Sequence, residues 1–208
     1  KPSRQLKRYM QLVPVYRPKK LLCELDHIWY DWVDATPCCK WGTIWFNALL
    51  GMWSYHSWEQ PLPIDRQAYF EYVAAQYNDE QVIGILKRIL HEPLTSVRCA
   101  HGDLTFENTL LSCTGDVVFI DPGDCHGLPC RELDEAKLLQ SLDGWEQAKY
   151  GWPAHPKQQP FKVRPIHRAL PLSHYVRMLK HQKGPALSFA QQQIERIKHE
   201  ESHNDCRS

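Results

Sequence analysis

Three polar side chains on one short stretch have the types and spacing for chemistry. They lie in His101-Gly-Asp103-Leu-Thr-Phe-Glu-Asn108-Thr-Leu-Leu111, followed by Val117-Val-Phe-Ile120-Asp121. Asp103 and Asn108, five residues apart, fit on one tight loop, and a hairpin then returns a second carboxylate, Asp121, to it. Such a loop presents Asp103 to the proton of a substrate hydroxyl. The Asn108 oxygen and Asp121 can hold Mg²⁺, which takes few protein oxygens and completes its shell with phosphate oxygens and water. One base beside such a cation is the equipment of phosphoryl transfer. His-Gly-Asp or Asp-Pro-Gly alone is an ordinary turn. The offset of Asn108 and the β-prone runs between the polar residues set this segment apart.

The elements that must position these groups are legible in part. Residues 109–112 and 117–120 read as strands, joined by a turn at Gly115. Asp65 is a good N-cap for a helix through residue 77, and Asp79 for the next, in which Val82, Ile83, Leu86, Ile89 and Leu90 recur at helical spacing. Residues 133–150 and 186–199 read as amphipathic helices. Residues 21–33 and 41–58 are aromatic, helix-prone stretches, the second punctuated by Gly51. Pro153, Pro156, Pro160, Pro165 and Pro171 mark residues 151–172 as an irregular connection. Glu24, Asp26, Asp31 and Asp34, interleaved with Trp29, Tyr30 and Trp32, suit a pocket for a cationic or sugar-like molecule, or simply an acidic helix face.

The segment HGDLTFEN followed by FIDPGD resembles the core of the aminoglycoside phosphotransferase and choline kinase superfamily. The resemblance is good over residues 100–145 and looser beyond. It implies the C-terminal lobe of an α+β, protein-kinase-like fold, mainly helical with a short hairpin at its centre. It implies Asp103 as the base, Asn108 and Asp121 as ligands of Mg²⁺ on ATP or GTP, and His101 as a brace of the loop. Leu133-Asp134-Glu-Ala136 resembles the family segment in which an Asp at a helix start anchors the loop backbone, and Gly123 also fits the pattern. Glu107 and Asp124 are expected to support rather than react. The implied activity is transfer of a nucleoside triphosphate γ-phosphate to a hydroxyl of an aminoglycoside, choline or sugar-like molecule.

The segment that would clasp the nucleotide is not evident. The 10 glycines include no G-x-G pair, and no strand of the V-A-I-K type precedes the loop. Lys19-Lys20 reads as a solvated face. The chain is therefore read as one lobe over residues 1–208: an aromatic region at 1–64, helices at 65–98, the loop, hairpin and following helix at 99–150, and a Pro-rich connection with a last helix at 151–208. A second chain or a missing N-terminal lobe is expected to complete it. The alternative is a non-catalytic kinase-like module that binds a nucleotide or a partner. A third reading, a metallophosphatase, rests on Gly123-Asp-Cys-His126-Gly127 and lacks the further motifs that it needs within residues 128–208.

Composition sets outer limits. The chain has 208 residues with 25 Lys and Arg against 24 Asp and Glu, a net charge of +1. That gives no global field for a nucleic-acid backbone or an anionic membrane surface. No apolar run nears the roughly 20 residues of a membrane span; the longest, near residues 41–53, is broken by Gly42, Asn47 and Gly51. Eight cysteines without a CxxC pair, and no apolar leader, read as reduced thiols of a cytoplasmic protein. The missing initiator Met leads us to expect an incomplete N-terminus.

Overall fold

Asp65 and Asp79 begin two helices as their chemistry dictates. Asp65 accepts the N–H of Ala68 at 2.9 Å and Asp79 that of Val82 at 3.0 Å, each satisfying an amide that the first turn leaves unpaired. In the computed structural model, which describes residues 21–24, 27–30, 35–37, 43–54, 62–153 and 161–205, the chain is α+β and mostly helical. The order is β1 (Leu21–Glu24), β2 (His27–Tyr30), β3 (Ala35–Pro37), α1 (Thr43–Ser54), α2 (Arg66–Ala74), α3 (Glu80–Leu86) and α4 (Arg88–His91). A 3₁₀ turn (Phe106–Asn108) then leads into β4 (Thr109–Ser112) and β5 (Val117–Phe119). Four helices follow: α5 (Arg131–Leu142), α6 (Trp145–Tyr150), α7 (Ile166–Met178) and α8 (Gly184–Asp205).

The hairpin is present where its turn residues put it. Gly115 takes φ +85° between β4 and β5, and Leu110 pairs with Val118. The structure adds β3 to its outer edge, Thr36 opposite Leu111, to make an antiparallel sheet in the order β3-β4-β5. β1 and β2 form a separate antiparallel pair, Glu24 opposite His27.

Three expectations need correction. Residues 21–33 contain β1 and β2 rather than a helix: Leu-Leu-Cys and His-Ile-Trp-Tyr are β-prone runs, and neither Leu21 nor a residue just before it offers a side-chain cap. Glu24 is thus on a strand, while Asp26, Asp31, Asp34 and Trp32 lie outside the described residues. Residues 133–150 hold two helices, because Gly144 adopts φ +106° and stops α5. Residues 151–172 are not wholly irregular, since α7 runs through Pro171. A proline inside a helix costs about 3 kcal/mol. Burial offsets it, for Ile166, Ala169, Leu170, Leu172 and Tyr175 are each 0% exposed.

Two apolar clusters meet across α5. Leu133 and Ala136 face a helical core that holds Tyr69, Leu86 and Tyr175. Leu138, Leu139 and Leu142 face a second core under the sheet, with Met52 from α1 and Leu104, Phe106 and Phe119 around the hairpin. α5 is therefore a fixed spar between them, and its polar residues are held to the tolerance of a packed interior. Among the described residues no helix is long and apolar enough to cross a membrane. Cys113 and Cys130 are thiols.

Candidate functional site

The segment before the hairpin is held at both ends by buried apolar side chains, Leu104 at 0% and Phe106 at 1% exposure. Between them the backbone turns tightly, and its amides need outside partners. Phe106 N donates to Ser141 Oγ at 3.1 Å and to Glu146 Oε1 at 3.0 Å. The 3₁₀ turn brings Asn108 back upon Asp103: Nδ2 donates to the Asp103 carbonyl at 2.8 Å and to its Oδ2 at 3.2 Å. With its nitrogen so engaged, the side-chain oxygen is the Asn108 atom suited to a cation.

Asp134 organises the start of the loop. Its Oδ1 accepts Gly102 N at 2.7 Å, and its Oδ2 accepts His101 N and the Trp53 indole N–H, each at 3.0 Å. Burial pushes its carboxyl up to about 6, against these three donors, which pull it down. His101 is also fully buried. Its Nε2 donates to the carbonyl of Ile120 at 2.9 Å, and Nδ1 accepts Asp103 N at 3.3 Å, which fixes the neutral tautomer. Burial brings the ring down to about 4 in spite of the nearby Asp103 charge.

The β5 exit is tied to the same loop. Ile120 N donates to Asn108 O at 2.9 Å and Gly123 N to His101 O at 2.8 Å. Asp121, between them, is exposed and takes φ +48°, a left-handed conformation that Asp tolerates better than most residues. Gly123 has no room for a side chain: a Cβ there would lie 2.8 Å from both Asp103 Cβ and the Gly102 backbone. The fold thus puts His101, Asp103, Asn108 and Asp134 in one bonded cluster, with Asp121 at the edge, two residues from Gly123.

Lys137, which the sequence reading did not single out, joins this cluster. Its Nζ lies 2.9 Å from Asp103 Oδ1. Asp103 remains 39% exposed. Its partial burial favours the neutral acid, but the charge and hydrogen bond of Lys137, helped by the Arg177 charge, hold it below the usual carboxylate range. The signal was its offset of three residues from Asp134 on α5, which puts both on one face. Beside Asp103 a pocket of about 300 Å³ is lined by Tyr72, Asp124, Lys137, His174, Arg177 and His181. His174 and Arg177 come from α7, the helix hidden by its proline.

The supporting residues have structural partners. Glu107 accepts the Trp145 indole N–H at 2.9 Å and a Lys149 ammonium at 2.9 Å. Asp124 Oδ1 accepts His126 N at 2.9 Å. His126 stacks on Tyr72 with centroids 4.2 Å apart, and its Nε2 accepts an Arg177 N–H at 3.1 Å, so that the lone pair a metal would need is engaged. Among the described residues no three His, Cys, Asp or Glu side chains group as a metal site. Comparison of the chain with protein-family models, with curated proteins and with solved structures finds nothing that matches.

Proposed function

We propose that this chain is the larger lobe of a protein-kinase-like small-molecule phosphotransferase, with Asp103 as the base. The observation that carries the reading is the bonded cluster around Asp103. A charged carboxylate, one oxygen held by Lys137 and the other by Asn108, faces a pocket, while its loop is fixed to α5 through Asp134. A base needs that combination of ionised state, fixed aim and access. The 3₁₀ turn, the hairpin and the Asp134 anchor also agree with the resemblance noted in the sequence.

Asn108 and Asp121 would hold Mg²⁺. The donor set suits it, for Asn108 has its nitrogen committed to Asp103 and its oxygen to spare, and Asp121 is exposed at the β5 exit. When bound, the cation supplies neutralisation of phosphate charge. Asp103 accepts the proton of the acceptor hydroxyl as that oxygen bonds to the γ-phosphorus and the nucleoside diphosphate departs. His101, neutral and pinned to Ile120, keeps the loop in register without adding charge.

The test is thermal unfolding with ATP, GTP and Mg²⁺, singly and together. Stabilisation that needs both nucleotide and Mg²⁺, and that Asp121→Ala abolishes, supports the reading. No stabilisation by any nucleotide with Mg²⁺ overturns it for this chain.

A further inference from the structure

The last turns of α8 carry a histidine pair that the chemistry at Asp103 does not use. His199 and His203 stand four residues apart, which puts them on one face of the helix. Both are exposed, and their rings meet edge to face with centroids 4.3 Å apart and Nε2 3.1 Å from Nε2. Two metal–nitrogen bonds of about 2.0–2.1 Å, set about 90–109° apart, hold their nitrogens roughly 2.9–3.4 Å from each other. The pair already has that separation. Imidazole nitrogen suits zinc, copper and nickel, whereas Mg²⁺ takes oxygen.

Helix ends fray, and fraying would scatter two exposed side chains. Here the residues interleaved with the pair are tied down. Lys198 Nζ donates to Asp79 at 2.8 Å, and Gln81 Nε2 donates to the Lys198 carbonyl and to Ser202 Oγ, each at 2.9 Å. Glu201 accepts Arg168 of α7 at 2.7 Å, and Arg88 of α4 as well. The backbone beneath the pair is thus fixed to three other helices, and a cation has only side-chain torsions left to order. The basic residues of the same turns are matched by carboxylates. Arg196 pairs with Asp143 at 2.8 Å and Glu200 at 3.0 Å, and Lys198 with Asp79.

We infer that His199 and His203 chelate one late first-row divalent cation, of the class of Zn²⁺, through their two Nε2 atoms. Each ring then carries its proton on Nδ1. Among the described residues no third His, Cys, Asp or Glu joins the pair, so water completes the shell. No residue of α8 lines the pocket beside Asp103, and the inference stands apart from the phosphotransfer reading.

The test titrates the whole chain, its thiols kept reduced, with Zn²⁺ and follows the histidine ring nitrogens by NMR. The Nε2 resonances of His199 and His203 are expected to shift together, with one Zn²⁺ bound at the pair per chain. His199→Gln and His203→Gln are exposed changes to a good helix former. Each should weaken this binding roughly tenfold or more, because the second ligand then no longer acts within the same chelate. A large excess of Mg²⁺ should displace nothing. Unmoved ring resonances, an affinity equal to that of the parent in either variant, or displacement by Mg²⁺ overturns the inference. So does binding that Cys206→Ser abolishes and the histidine variants keep, which assigns the cation to a thiol. One Zn²⁺ shared by two chains overturns it too, since each pair would then be half of a site between copies.

Discussion

Asp134 in α5 accepts the backbone N–H of Gly102, 32 residues earlier in the chain, at 2.7 Å. The same carboxylate takes the N–H of His101 and the Trp53 indole. One side chain on a rigid helix thus satisfies two consecutive amides of a tight loop and locates Asp103 one residue later. The cost is a fully buried carboxylate, visible in a pKa raised to about 6.

That cost has a pH signature, and His101 opposes it. His101, lowered to about 4 from 6.5, contributes stability that is complete above 6.5 and lost as pH falls through about 4. Asp134, raised to about 6 from 3.8, contributes stability present below 3.8 and lost as pH rises through about 6. Each amounts to roughly 3 kcal/mol at 1.36 kcal/mol per unit, and the two slopes cancel over the same window. Asp134→Asn removes one of them. In urea unfolding, the stability of the parent relative to Asp134→Asn should shrink by roughly 3 kcal/mol between about pH 4 and pH 7. A difference that stays constant with pH refutes the account.

Trp53→Phe tests the clamp from its other side. It keeps most of the apolar surface of α1 in the second core while it deletes one donor to a buried charge. A hydrogen bond to a charged group contributes about 1.5–3 kcal/mol, so the unfolding free energy at neutral pH should fall by that amount. A change under about 0.5 kcal/mol would mean that the two backbone amides hold Asp134 by themselves.

The sequence disclosed the loop and the hairpin because each rests on local rules, an offset of five residues and a Gly turn, whereas Asp134 was legible only through the family resemblance. Asp65 and Asp79 likewise began helices because capping is local. What stayed hidden depends on tertiary burial. α7 was masked by Pro171, whose cost only the packed interior offsets. Arg177 and His174 went unseen with it. Trp53 carries no sequence signal for Asp134, 81 residues away. The β1–β2 pair was missed because a short aromatic run fits helical spacing and alternation alike.

Gly123→Ala asks how tightly the β5 exit is packed upon the loop. The new Cβ would meet Asp103 Cβ and the Gly102 backbone at 2.8 Å, and backbone cannot swing aside as a flexible side chain can. Overpacking of this kind costs about 1–3 kcal/mol, with Asp103 displaced at the same time. Gly115→Ala is the control: its φ of +85° strains alanine, but nothing lies within 4 Å. Both variants should melt below the parent, and only Gly123→Ala should lose phosphotransfer out of proportion to its melting. Equal activity in the two would refute the close contact.

Asp103 and Lys137 separate charge from position. Asp103→Asn keeps the shape of the side chain and the Asn108 bond to the Asp103 carbonyl. It removes a partly exposed ion pair, a loss under about 1 kcal/mol, whereas turnover should fall about 10²–10⁴-fold with the base gone. Lys137→Met acts in the opposite sense. Without the ammonium 2.9 Å away, the Asp103 pKa must rise. The acid limb of kcat/KM, where the base becomes protonated, then moves to higher pH while the plateau persists in part. A limb that keeps its position in Lys137→Met would show that Asp103 is not the titrating base.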